Sequence, residues 1–162
     1  MPITKTIAEE LEREAPTTAR VLERIPQDKM DWRPHEKSKS AGDLAYHIAA
    51  LPSLGVMVLK QDELDPSKSR PPVQRDVPPA ELFRRNLQEF LSVIGSMDNE
   101  QMMQPFRFRL GDKVIFDAPK AGILRNLLMN HTYHHRGQLS VYLRLLDVPV
   151  PSVYGPTADE GF

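Results

Sequence analysis

Cysteine is absent from the 162-residue sequence. This absence excludes disulfide bonds, a cysteine nucleophile and every cysteine-ligated metal site. Any metal site in this protein must therefore be built without sulfur ligands. Any reaction at sulfur must use a thiol that arrives as a co-substrate.

The sequence also lacks an excess of charge of one sign, because it contains 21 Lys and Arg residues and 22 Asp and Glu residues. Without a basic patch, nucleic acid and anionic membranes are not expected as partners. The first thirty residues lack the layout of a signal peptide, and no apolar run approaches the roughly 18 residues that span a bilayer. We expect a soluble, cytoplasmic protein folded as a single domain over residues 1–162.

Three of the five histidines cluster at positions 131, 134 and 135, in a stretch with helical periodicity. At roughly 100° per residue, His131 and His135 lie about 40° apart within the apolar arc of a helix over residues 124–146. His134 lies at the edge of that arc. The arc contains Leu124, Leu127, Leu128, His131, His135, Gln138, Leu139, Tyr142, Leu145 and Leu146. Most residues off the arc are polar, so the paired histidines are expected to point inward.

A further histidine, His47, lies in a second apolar segment and is expected to point inward as well. Neutral imidazoles bind divalent metals, and a pair at i and i+4 can share one ion. We therefore predict that His47, His131 and His135 form a three-histidine site with open coordination positions, as in catalytic rather than structural metal sites. The alternative is a set of hydrogen-bonded core histidines without metal, and residue spacing alone supports both interpretations.

Several motifs of known chemistry are missing. There is no H-E-x-x-H, because Thr132 stands where a metalloprotease has its glutamate. The E-x-x-H repeats of di-iron bundles, the G-x-S-x-G elbow and a phosphate-binding glycine loop are absent too. These absences argue against proteolysis, di-iron chemistry, serine hydrolysis and nucleotide binding.

Other side chains are candidates for the surroundings of the histidines. Gln138 and Tyr142 follow His135 on the same face and are predicted to line a substrate pocket, although both could be ordinary buried polar groups. His134 is expected to contact a connector or the tail, and His35 is expected to be solvated. Trp32, the only tryptophan, belongs to the connector at residues 26–35 and is expected to fill the core beneath it.

Helical periodicity also appears in three earlier segments. Residues 7–22 predict a first helix, in which Pro16 marks either a kink or a misread boundary. Ser40 predicts the N-cap of a second helix over residues 41–60. Residues 82–97 predict a third helix, and Pro119 is expected to open the last one.

The connections complete the predicted architecture. Residues 61–79 carry five prolines and predict a long crossover loop. Residues 106–116 alternate around Gly111 and Asp112, which predicts a small β-hairpin and is the only strand signal. The proline-rich tail after residue 146 is expected to lie over the surface. The predicted fold is all-α, a four-helix bundle with a long crossover and a small β-hairpin before the last helix.

Four stretches together resemble one known family. The runs His-Thr-Tyr-His-His-Arg-Gly-Gln-Leu (131–139) and Val-Pro-Val-Pro-Ser-Val-Tyr-Gly-Pro-Thr-Ala-Asp-Glu (148–160) resemble the DinB-like superfamily of damage-inducible proteins. Trp-Arg-Pro-His-Glu-Lys (32–37) and Gly-Asp-Leu-Ala-Tyr-His-Ile-Ala (42–49) resemble its entry into the second helix.

The resemblance implies a four-helix bundle, often a homodimer, that holds nickel, zinc or another divalent ion. The implied ligands are one histidine of the second helix and an H-x-x-x-H pair of the last helix, here His47, His131 and His135. Some relatives are thiol S-transferases or isomerases that use bacillithiol, mycothiol or glutathione. We therefore expect a metal-dependent thiol S-transferase with a small thiol and an electrophile as substrates. The alternatives are a non-catalytic metal-containing stress-response or ligand-binding module, or a metal-independent structural dimer.

Overall fold

The computed structural model describes residues 2–68 and 74–161. Its helices are α1 (Ile3–Glu23), α2 (Ala41–Lys60), α3 (Pro79–Gly95), α4 (Asn99–Met103), α5 (Lys120–Leu124) and α6 (His131–Leu145). A 3₁₀ turn lies at Gln27–Lys29, and a π-helical segment lies at Arg125–Asn130. Strands β1 (Glu63–Leu64), β2 (Pro105–Leu110) and β3 (Lys113–Pro119) form one sheet. The protein is thus mostly helical with a small sheet.

Helix α1 begins at Ile3, earlier than predicted, and continues through Pro16 to Glu23. The predicted start was therefore wrong, whereas the proline is accommodated inside the helix. Proline removes only one backbone hydrogen bond of the helix, and the apolar residues on both sides of it are buried in the core. They include Ile7, Leu11, Val21 and Leu22. Burial of this stripe stabilises the helix across the break in its hydrogen-bond ladder.

Contacts between the long helices follow the order α1, α3, α2, α6 and back to α1. Helices α2 and α3 run parallel, because Asn86 meets the Ala49 carbonyl and Phe90, one turn later, meets Gly55. A parallel pair needs a connection that returns along the full helix length, which explains the long crossover predicted from the prolines of residues 61–79. Residues 69–73 of that predicted loop lie outside the described residues.

Helix α6 runs antiparallel to α2, since His131 meets His47 and the later Tyr142 donates a hydrogen bond to the carbonyl of the earlier Lys39. The core lies between α1, α2, α3 and the segment that leads into α6. Its fully buried side chains include Leu44, Ile48, Leu51, Phe90, Ile94, Met102, Phe106, Ile123, Leu124, Leu128 and Met129. This packing brings the middle of α2 next to the start of α6.

The sheet confirms the predicted hairpin and adds one strand. Strands β2 and β3 pair antiparallel around Gly111, whose φ of 60° is a conformation that glycine adopts without strain. Strand β1 pairs with β2 in parallel, with Leu64 opposite Phe108. The sequence interpretation placed β1 inside the crossover loop and was wrong there. Two residues are too few to show an alternating pattern, so β1 had no signal of its own.

The last helical stretch is not one uninterrupted α-helix, as the stripe over residues 124–146 suggested. Residues Arg125–Asn130 are π-helical and join α5 to α6 directly before His131. Single π-helical turns inside α-helices are frequently found at functional sites. Leu128 and Met129 of this segment are buried, so it is packed into the core and is not a frayed end.

The position of Trp32, in the connector before α2, differs from the prediction that this side chain fills the core. Trp32 is only half-buried and packs edge-on against the ring of Tyr142, with ring centroids 5.7 Å apart. The core beneath the connector is reached by Met30 instead, whose carbonyl accepts a hydrogen bond from Gly42 N at 2.8 Å. A Cβ at Gly42 would lie 2.8 Å from that same oxygen, so glycine permits the close approach.

Helix α2 is long and apolar enough to cross a bilayer by length and composition. It was not identified from the sequence, because its apolar residues do not form one uninterrupted run. However, 67% of its most apolar stretch is buried inside the protein. Its hydrophobic character is therefore explained by its position at the centre of the fold, where it contacts α3, α6 and the π-helical segment.

Candidate metal centre

Two separate helix starts position the three histidines. Ser40 caps α2 by accepting a hydrogen bond from Asp43 N at 3.0 Å, which places His47 in the second turn of the helix. His131 and His135 lie one turn apart at the beginning of α6. Because α2 and α6 are antiparallel neighbours, these two turns face each other. All three imidazoles are half-buried.

The ring nitrogens of these residues converge. The Nε2 atoms of His47 and His131 are 3.1 Å apart, and those of His131 and His135 are 2.7 Å apart. Each residue offers one nitrogen within 4.8 Å of the others. A metal–nitrogen length of about 2.0–2.1 Å places neighbouring ligand nitrogens at about 3 Å from each other. The triad predicted from the sequence is therefore brought together with the spacing of ligands that share an ion.

Hydrogen bonds on the far side of two rings decide which nitrogen carries the proton. His135 Nδ1 lies 2.6 Å from Gln138 Oε1, which can only accept, so Nδ1 is the donor. His131 donates to the backbone carbonyl of Leu127, and its Nδ1 is the donor because Nε2 faces the other histidines. In the neutral rings, both Nε2 lone pairs consequently point at each other.

Two lone pairs at 2.7 Å repel each other unless a cation lies between them. A proton is disfavoured in that role, because burial lowers the pKa of His131 and of His135. The neighbouring basic side chains of Lys39 and His134 oppose protonation of either ring and lower both pKa values further. A divalent metal ion satisfies the same nitrogens without protonating them, so the residues present fit such an ion.

Gln138 and Tyr142, the two residues predicted to line a substrate pocket, both lie near the histidines or the connector before α2. Gln138 is exposed and accepts from His135, so it orients a histidine. Tyr142 is half-buried and donates to the Lys39 carbonyl at 3.3 Å, beside Trp32. Neither residue lines the large cleft described below. Whether either one contacts substrate stays a prediction.

The remaining histidines are both exposed. His134 lies edge-on to the His135 ring, with centroids 4.9 Å apart, and is not part of the converging group. His35 accepts a hydrogen bond from Lys37 N at 3.1 Å within the connector. Its exposure agrees with the solvated loop position expected from the sequence.

A cleft of about 1010 Å³ opens beside His47 and His131. One wall is the face of α2 that carries His47, Leu54 and Met57, and the opposite wall is the start of α3. Further lining residues are Lys39, Asp43, Tyr46, Leu64, Pro66, Gln74, Arg75, Leu82, Arg85, Asn86, Glu89, Phe108 and Leu127. The metal centre is thus reached from a pocket large enough for a small organic molecule.

Sequence reasoning missed the polar side of this cleft. Arg75 lies in the predicted crossover, where its guanidinium binds Asp43 Oδ1 at 2.7 Å and stacks over the Tyr46 ring at 5.2 Å. Tyr46 in turn donates to the carbonyls of Arg75 and Val77. The only available signal was the spacing of Asp43 and Tyr46 on α2, at the edge of the apolar face.

A second polar group lies on the other side of α6 and was not anticipated. The guanidinium of Arg136 is 1% exposed, 2.7 Å from Glu14 Oε2 and 3.0 Å from Thr18 Oγ1. The rings of Tyr133 and Tyr154 lie on either side at 5.3 and 5.0 Å. This arrangement joins α6 to α1 and to the tail, and so holds the helix that carries two of the histidines.

These features define a class of protein: a mostly helical domain with an inward three-histidine cluster at the edge of a cleft. The chain belongs to the DinB family, whose sequence profile matches residues 1–161. The resemblance drawn from the histidine and tail motifs is thereby confirmed.

Solved structures and relatives agree with this assignment. The DinB-like protein YjoA of Bacillus subtilis superposes with a TM-score of 0.71 at 22% identity, covering 91% of this chain and 96% of YjoA. A DinB-like protein of Bacillus cereus ATCC 10987 gives 0.68 at 19% identity, covering 93% and 97%. The uncharacterized protein YrdA of Bacillus subtilis strain 168 is 22% identical over 149 residues, which are 91% of this chain and 85% of YrdA. At these identities the structural likeness concerns the fold.

Proposed function

We propose that this protein binds one divalent metal ion through His47, His131 and His135 and uses it in a thiol S-transferase reaction. The observation that carries the metal site is the pair of Nε2 lone pairs of His131 and His135 facing each other at 2.7 Å. Nickel and zinc are the proposed ions, because both suit imidazole ligands. The absence of cysteine supports a thiol that comes from a small co-substrate.

A metal ion held by three neutral imidazoles supplies a Lewis acid that lowers the pKa of a thiol and retains open positions. The chain itself provides the surroundings. Gln138 fixes the tautomer of His135, and the Leu127 carbonyl fixes that of His131. Lys39 holds a positive charge near both rings, which favours anionic groups at this end of the cleft.

Metal content is the first test. Protein purified without a histidine tag is expected to contain about one divalent ion per chain by elemental analysis. His131→Ala is expected to abolish this occupancy, because Nε2 of His131 lies close to Nε2 of both other histidines. The helical circular dichroism spectrum is expected to stay intact. His35→Ala is the matched control, since His35 is exposed and outside the cluster. Stoichiometric metal in His131→Ala would contradict the site.

The second test is turnover. Metal-loaded protein is expected to consume bacillithiol, mycothiol or glutathione together with the electrophile monochlorobimane, and the metal-free protein is not. Full metal occupancy without consumption of any of the three thiols would refute the transferase. It would favour a non-catalytic metal-containing stress-response or ligand-binding module instead.

We also infer how the helices are arranged, how many copies of the chain associate and where the protein is located. The cyclic order of contacts between α1, α3, α2 and α6 supports a four-helix bundle with one long crossover. The family resemblance supports a homodimer, which sedimentation velocity tests directly. The balanced charge supports a protein that binds neither nucleic acid nor anionic membranes. A cytoplasmic location is part of the same proposal.

A further inference from the structure

The cleft beside the histidines is lined by charged side chains and by apolar ones. Leu54 and Met57 lie seven and ten residues after His47 on α2, which at 1.5 Å per residue is roughly 10 and 15 Å along the helix axis. Leu64 and Phe108 continue the apolar lining at the sheet, and Leu51, Leu82 and Leu127 add to it. A bound molecule therefore meets an apolar surface that begins near the metal centre and extends toward the sheet.

Three positively charged side chains line the cleft, namely Lys39 before α2, Arg75 before α3 and Arg85 in α3. Arg85 precedes Asn86, whose side chain donates to the Ala49 carbonyl at 2.8 Å, two residues after His47 on α2. Arg75 is tied to Asp43, also near the start of α2. Because α2 and α3 are parallel, Arg85 is level with the turn of α2 around Ala49, which follows His47, and not with Met57.

Arg85 is a cation without a carboxylate partner among the described residues. Its guanidinium contacts the neutral amide oxygen of Gln74. In contrast, Arg75 is already paired with Asp43, and Glu89 is paired with Lys60 at 3.6 Å. A guanidinium at the edge of an apolar cleft forms its strongest hydrogen bonds with a carboxylate. Arg85 is thus available to a ligand in a way that Arg75 is not.

We propose that the cleft binds small amphipathic carboxylates, with the carboxylate at Arg85, level with the α2 turn that follows His47, and a slender apolar body of about 10–15 Å along α2. This inference rests on the proposed function, because the second substrate of the transferase would carry such a carboxylate and apolar body in addition to the electrophilic carbon that the thiol attacks. It adds what the histidines alone do not specify, namely the charge and the shape of the second substrate.

Calorimetric titration of the full chain with straight-chain carboxylates of increasing length tests the apolar part. Affinity is expected to rise about fourfold with each added methylene until the chain reaches Met57, because each buried methylene adds a similar increment of transfer free energy. Matched primary amines are expected to bind at least about tenfold more weakly than the carboxylates, because Arg85 repels them. Affinities that do not change with chain length, or equal affinities for amines and carboxylates, would overturn the proposal.

Variants of adjacent arginines test the anchor. Arg85→Gln is expected to lower the affinity for the carboxylates about tenfold or more and to leave that for the matched primary alcohols unchanged. Arg84→Gln is the control, because Arg84 lies next in the chain but binds Glu23 of α1, outside the cleft. Equal carboxylate affinities of the two variants would overturn the assignment of Arg85.

Each titration is run on metal-loaded and on metal-free protein, with metal content measured separately. A chain that holds no metal but retains the length dependence and the Arg85 effect refutes the proposed function and supports the cleft inference. A chain that holds metal and turns over thiols, but binds the carboxylates without length dependence, refutes the inference and supports the proposed function.

Discussion

At the residue scale, the geometry of the histidine site depends on side chains that would not contact the metal ion themselves. Gln138 Oε1 lies 2.6 Å from Nδ1 of His135, on the side of the ring that faces away from the other histidines. The carboxamide oxygen holds the proton on Nδ1 and leaves the Nε2 lone pair free. The side chain that sequence analysis assigned to substrate thus orients a proposed ligand.

We predict that Gln138→Ala lowers metal affinity about 10- to 100-fold, the usual effect of removing such a hydrogen-bond partner. Without the acceptor, His135 can adopt the other tautomer and rotate. The measurement is a competition titration against a chromogenic chelator, with circular dichroism to verify the fold.

Two further variants make this prediction specific. Gln138→Glu retains an acceptor oxygen and is expected to keep most of the affinity. Gln88→Ala removes an exposed glutamine of α3 that lies outside the cleft and is expected to change nothing. Equal affinity of Gln138→Ala and wild type would show that the hydrogen bond has no role in positioning His135.

At the scale of elements, the site exists because α2 approaches both α3 and the π-helical segment closely. Gly55 lies at this crossing, where an added Cβ would be 2.8 Å from the Phe90 ring and 2.9 Å from Leu128 Cδ2. Phe90 and Leu128 are fully buried, so neither can move toward solvent. A glycine here sets the distance between the helix that carries His47 and the helix that carries His131.

We predict that Gly55→Ala lowers the free energy of unfolding by about 1–3 kcal/mol, the usual cost of overpacking a tight core. Urea denaturation followed by circular dichroism measures it. Metal affinity is expected to fall as well, because separating the helices moves His47 away from His131.

Gly122→Ala is the control for Gly55→Ala. Gly122 lies in α5, is exposed, and an added Cβ meets nothing within 4 Å. Alanine at such a helical position is expected to raise stability by about 0.5–1 kcal/mol. If Gly55→Ala were as stable as Gly122→Ala, the side chains of Phe90 and Leu128 could move to accommodate the added Cβ at no cost, which would contradict the prediction.

At the scale of the whole molecule, the tail closes the fold by electrostatic contacts. Glu160 accepts hydrogen bonds from Arg24 at 2.6 Å and from Ser152 N at 3.0 Å, and it lies 3.3 Å from the Arg20 guanidinium. Both arginines belong to α1, so the tail crosses back over the first helix. Tyr154 continues this connection by donating to Glu14 at 3.0 Å.

We predict that Glu160→Ala destabilises the fold by about 1 kcal/mol, because the two arginines remain partly solvated and the pairs are only moderately strong. The tail is expected to become a site of rapid proteolysis, which mass spectrometry of a limited chymotrypsin digest detects as cleavage after the exposed Tyr154. Glu36→Ala is the matched control, since Glu36 is exposed and has no ion pair among the described residues. A tail cleaved at the same rate in both variants would contradict the role of Glu160.

Much of this organisation could be predicted from the pattern of residues. The i, i+4 pair His131 and His135 and the inward position of His47 followed from helical periodicity, because a helix places such residues on one face whatever surrounds it. The hairpin was predicted correctly for a similar reason, since alternation and a glycine turn are local properties. Strand β1 was missed because two residues show no alternation. The start of α1 was placed too late, although Ile3 follows Pro2 and lies one turn before Ile7 on the same stripe.

The amino-acid sequence by itself determined which faces of the helices are apolar, that three histidines point inward, and that sulfur ligands are excluded. Only the tertiary structure decided that the three Nε2 atoms meet, that Gln138 accepts from His135, and that Arg85 borders the cleft. The physical reason is that periodicity specifies the direction of a side chain about its own helix axis. The distance between two helices depends on how residues such as Gly55 and Phe90, remote in sequence, pack against each other.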